Sequence, residues 1–71
     1  MAAFFPHLSE VKDLNMLQTG QGIEVRLNGA LFCEGKVEQM DAELGVVWVR
    51  DRFNERKLLN SPDFSFWRYV L

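Results

Sequence analysis

Ile23-Glu24-Val25-Arg26-Leu27-Asn28-Gly29 is the most regular stretch of the chain. Ile23, Val25 and Leu27 alternate with Glu24 and Arg26, the period of two that puts one side of a strand in a core and the other in water. Asn28-Gly29 then supplies two adjacent residues that tolerate positive φ, as a two-residue hairpin turn requires. The chain is therefore expected to fold back into a second strand from Ala30 to about Met40. On that strand Cys33, Gly35 and Val37 share a face and Met40 falls out of phase, which predicts a bulge or bend. Gly35 marks a sharp bend or a close backbone approach.

Working outward, Asp41 to Gly45 reads as a turn and Val46 to about Arg50 as a strand, the most β-prone stretch of the sequence. A loop near Asp51 to Asn54 precedes a strand at roughly Glu55 to Leu59. Asn60-Ser61-Pro62-Asp63 is a tight turn, and Phe64 to Leu71 a last, very aromatic strand. Upstream, Ser9 is an N-cap candidate with Glu10 and Asp13 near the helix start. Leu8, Val11, Leu14 and Leu17 recur every three residues, and Gly20 supplies a stop, which predicts one α-helix over about residues 9–18. Met1 to Pro6 reads as an arm whose Phe4 and Phe5 dock on something. The expectation is a mainly β chain: an N-terminal α-helix, then a five-stranded antiparallel small barrel of SH3-like type, as one domain over residues 1–71.

With 71 residues, 48% apolar and 25% charged, the composition is that of one small folded domain. Such a chain buries only about 60% of the surface its unfolded form exposes. Cys33 and His7 are the only cysteine and histidine, so neither an internal disulfide nor a multi-ligand zinc site can staple it, and no cofactor is expected. The longest nearly unbroken apolar run, Leu44 to Val49, is far short of the ~20 residues of a membrane helix. MAAFFPHLSE lacks the organisation of a signal peptide, so a cytoplasmic or otherwise intracellular protein is expected.

Charge is uneven. Residues 1–49 carry three basic and seven acidic side chains, net −4, whereas residues 50–71 carry five and three, net +2. The cations cluster in Arg50-Asp51-Arg52-Phe53-Asn54-Glu55-Arg56-Lys57, which is either a binding face or a solvated turn. Phe53 stands out there as a ring in a polar loop, free to stack on a base or a peptide side chain. No enzyme is expected. Nucleophilic catalysis by Cys33 needs a base and the sole imidazole lies near the arm, carboxylates such as Glu34 and Glu38 sit among charged residues, and no glycine loop cradles a phosphate. In the last strand both faces are bulky and apolar. Phe66, Trp67 and Tyr69 are therefore expected at an edge covered by another subunit.

Ile23 to Gly29, then Gly35-Lys36-Val37 and Met40-Asp41, together resemble the first signature motif of the Sm-like family, which includes bacterial Hfq and the eukaryotic Sm and LSm proteins. The resemblance covers roughly residues 9–50. It implies a homo-oligomeric ring that binds single-stranded RNA, with Asp41 organising its turn. Because Leu44 and Gly45 follow that turn, RNA contact is expected at Arg26 and Asn28, or along Arg50, Arg52, Phe53, Asn54, Arg56 and Lys57. A second stretch, Val46 to Glu55 with Pro62-Asp63-Phe64, looks like the later half of a Tudor domain. It implies a protein-interaction module that takes a peptide or a partner protein, with Phe53 at the contact.

Overall fold

The computed structural model describes residues 7–70. They form six antiparallel strands: β1 His7–Val11, β2 Gly22–Leu27, β3 Ala30–Asp41, β4 Val46–Asp51, β5 Arg56–Asn60 and β6 Phe64–Val70. The strands lie in one sheet in the order β1-β6-β2-β3-β4-β5. The central hairpin follows its sequence signal. Asn28 and Gly29 take φ of 53° and 81° and join β2 to β3, and Val25 faces Cys33 across the pair. The expected irregularity of β3 is a register shift between Val37 and Gln39, which brings Met40 back in phase opposite Val47. Gly35 is where β3 and β4 come closest: a methyl group there would collide with the Arg50 carbonyl and the Asp51 Cα.

Two expectations are corrected. No α-helix forms over residues 9–18. Ser9, the expected cap, sits in the middle of β1 opposite Arg68, and only Leu14–Met16 coil, as a single 3-10 turn. Asp13 accepts a hydrogen bond from the Asn15 amide, and Leu17 is already extended, so the turn ends after three residues. The three-residue spacing of Val11, Leu14 and Leu17 nonetheless serves burial, since all three lie in the core. A strand followed by a tight turn delivers the same apolar side chains as a helix face and adds five backbone partners for β6.

The second correction concerns closure. The strands make an open sheet with β1 and β5 as its edges, not a five-stranded barrel. The extra strand is the reason, because β1 takes the side of β6 that closure would need. β6 is thus an interior strand, with β2 on one side and β1 on the other. Phe66, Trp67 and Tyr69 do not lie at an edge, and Phe66 is one of the most deeply buried side chains. Within the chain Phe66 is buried and Phe64 and Trp67 are half-buried, whereas Tyr69 stays exposed.

The core occupies one face of the sheet. Val11, Leu14, Leu17, Ile23, Val25, Val37, Val47, Val49, Leu59 and Phe66 form one buried cluster, with Cys33, Met40, Ala42 and Phe64 against it. Each fully buried aliphatic or aromatic side chain contributes about 1.5–3 kcal/mol. Glu24, Arg26, Trp48, Arg50 and Trp67 alternate with those residues and point to the other face.

Candidate functional site

Asp51 ends β4 at the start of the basic stretch, and it is the one buried charged residue among those described. Its carboxylate accepts from the Phe53 amide at 2.9 Å, the Glu55 amide at 2.8 Å and the Lys57 ammonium at 2.7 Å. The backbone closes the same loop: the Asp51 amide donates to the Glu55 carbonyl, and Asn54, with φ of 66°, donates to the Asp51 carbonyl. The Lys57 ammonium and the two amides hold the Asp51 carboxyl below its ordinary range. The same contact pushes Lys57 upward. Residues 51–57 therefore form a fixed tip. An aspartate heading a polar loop, where its side chain can accept amides ahead of it, is the sequence signal for this role.

The expected contact residues separate into two groups. Arg50 donates to both Glu38 oxygens and to the Asn54 carbonyl, and Arg56 donates its Nε to the same Glu38 at 3.0 Å. Hydrogen bonding from Arg50, aided by Arg56, pulls the Glu38 carboxyl down. Arg26 is bonded to Glu24 at 2.7 Å and lies 4.3 Å over the Trp67 ring. Lys57 is held by Asp51. These cations brace the sheet. Asn28 is a turn residue at the hairpin tip, and Asp41 accepts a hydrogen bond from the Leu44 amide at 3.1 Å. Arg52 makes no ion pair among the described residues. Its guanidinium lies 5.4 Å from the Phe53 ring, and its amide donates to the Glu34 carbonyl.

Phe53 is 74% exposed, and it is not alone. Across a cleft of about 300 Å³ stand Leu31, Phe32 and Cys33, at the start of β3. Leu31 and Phe32 are exposed, and Phe32 meets Phe64 edge to face at 4.8 Å, which fixes its ring at the border of the core. Strict alternation along β3 hides this pair. A register shift between Val25 and Arg26 reorders the strand beginning, so that only the folded pairing reveals it. Burial pushes the Cys33 thiol up, with Asp51 and Glu34 adding to the rise against Lys57. Cys33 is a protonated, half-buried wall of the cleft at neutral pH.

A second, wider groove of about 950 Å³ adjoins the cleft at Glu34, Asp51 and Arg52 and is lined further by Thr19, Lys36, Gln39, Arg56 and Tyr69. Lys36 makes no ion pair among the described residues. Glu34 and Glu38 line the same groove, so its charge is mixed. No group of three or more metal-ligating side chains occurs among the described residues, and no helix there is long and apolar enough to cross a membrane.

Comparison with protein-family models, curated proteins and solved structures finds no match to this chain. The resemblances to the Sm-like family and to Tudor domains rest on the quoted residues alone.

Proposed function

We propose that this chain is a non-catalytic interaction module that docks a short segment of a partner protein in the cleft between Phe53 and the Leu31–Phe32 pair. One observation carries the reading. Three exposed apolar side chains, Leu31, Phe32 and Phe53, converge on a single cleft, while the cations that favoured a nucleic acid are engaged with Glu24, Glu38 and Asp51. Freeing Lys57 for a phosphate would leave the buried Asp51 without its ammonium, and freeing Arg50 and Arg56 together would strip Glu38 of both its partners. An apolar ligand side chain displaces only water from the phenyl rings, and the surrounding rim is mixed in charge, with Arg52 beside Glu34 and Glu55. The test is selection of peptides from a displayed random library on the folded chain. Enrichment of an aliphatic or aromatic residue, lost with Phe53→Ser, supports the reading. No enrichment, or enrichment indifferent to Phe53→Ser, contradicts it.

A second reading, binding of single-stranded RNA, is favoured by the wide groove, where Lys36 and Arg52 make no ion pair among the described residues and Tyr69 offers an exposed ring. Its mark is affinity for a mixed-sequence single-stranded RNA that falls steeply with salt and weakens with Lys36→Ala. RNA affinity with no salt slope, or one untouched by Lys36→Ala, counts against it.

A further inference from the structure

Strand β5 is an edge without the usual protection. Natural sheets guard an edge with charged side chains, proline or a bulge. Arg56-Lys57-Leu58-Leu59-Asn60 has two cations, but both are turned back on the sheet. Arg56 Nε bonds Glu38 across β4, and Lys57 bonds Asp51. Leu58, at the middle of the strand, is 56% exposed beside the half-buried Trp48. An apolar residue thus sits at the centre of an unpaired backbone.

We propose that β5 pairs antiparallel with β5 of a second copy of this chain about a twofold axis at Leu58, joining two sheets into one. The strand is self-complementary in that register. Leu58 meets Leu58, Lys57 lies opposite Leu59, and Arg56 lies opposite Asn60, so no like charges face each other directly. Leu58 and the neighbouring Trp48 of each copy then form one apolar stripe on the outer face. The strand ends are complementary as well. Asn60 donates its amide to Asp63 at 3.0 Å, which holds a carboxylate at one end of β5. At the other end Arg56 uses only its Nε on Glu38, and its two terminal nitrogens have no hydrogen bond among the described residues. The twofold sets each Arg56 against the Asp63 of the other copy. The opposite edge, β1, has Ser9 rather than an apolar side chain at its centre.

One strand pair buries less than the ~1,200 Å² of a stable interface, so the dimer is weak, with a Kd on the order of 100 μM. Sedimentation velocity of the full chain from about 10 μM to about 1 mM should show the mass rising from monomer toward dimer. Hydrogen exchange at the high concentration should gain protection in residues 56–60. Leu58→Lys, which sets two lysines on the axis at an exposed position, should abolish association with the circular dichroism unchanged. Asp63→Lys should weaken it about tenfold. A chain still monomeric at the top of the range overturns the proposal. So does association that survives Leu58→Lys, or protection gained in residues 7–11 instead.

Discussion

Protonating Asp51 would withdraw the acceptor from two amides and an ammonium at once. Its carboxyl is held below the ordinary range, first by Lys57 and next by the Glu55 amide, and that of Glu38 first by Arg50. A carboxylate whose folded pKa is depressed stabilises the fold above its unfolded value, near 4, and loses that contribution as pH falls through the folded one. Lys57, whose pKa is raised, contributes below its unfolded value, about 10.4, and loses the contribution as pH rises through the folded one. Thermal melts should therefore be nearly level from about pH 5 to pH 9 and should fall on both sides of it. Asp51→Asn should lower the neutral-pH Tm by several degrees and flatten the acid limb; a variant with the wild-type acid limb would show that Asp51 does not govern it. Phe53→Ala removes a ring that is mostly in water, so its stability should stay within about 0.5 kcal/mol of wild type in urea titrations while peptide binding is lost.

At the scale of elements, Gly35 ties β3 to β4. Gly35→Ala forces a methyl group against the Arg50 carbonyl and the Asp51 Cα, which are β4 backbone with no flexible side chain to yield. A loss of about 2–3 kcal/mol in denaturant unfolding is expected, and an unchanged midpoint would mean that β4 shifts freely. Leu14→Ala empties a core position supplied by the 3-10 turn and should cost about 2–4 kcal/mol by the same measurement. Strands and turns downstream of Ile23 are legible because alternation, Asn28-Gly29 and Gly35 each have one physical meaning. Residues 9–18 are not, since a three-residue apolar spacing suits a helix face and equally a strand entering a tight turn. Partnership with β6, forty or more residues away, settles that choice. The same long-range pairing explains why the heavy apolar load of β6 reads as an exposed edge in the sequence and proves to be interior. On the site side, Phe53 stands out in its polar loop. Leu31 and Phe32 do not, because Phe32 is an extra residue of β3 set against Val25 and Arg26 of β2, and that bulge decides where the pair projects. The fate of the cations is equally hidden: a run of arginines shows charge, but only folding brings Glu38, twelve residues from Arg50, between two of them.

At the scale of the whole molecule, two concave surfaces adjoin at Glu34, Asp51 and Arg52. A small cleft walled by Leu31, Phe32 and Phe53 lies at the Asp51-organised tip, and a wider groove of mixed charge runs on from it to Lys36, Gln39 and Tyr69. Net charge of −2 and cations largely occupied by carboxylates favour the apolar cleft as the place of recognition. The direct test is a backbone-amide NMR titration of the full chain with a library-selected peptide in one series and a mixed-sequence single-stranded RNA in the other. The account predicts saturable shifts at Leu31, Phe32, Cys33, Arg52 and Phe53 with the peptide, abolished by Phe53→Ser. Saturable shifts confined to Lys36, Arg56 and Tyr69 with RNA, and none at the cleft with peptide, would contradict it.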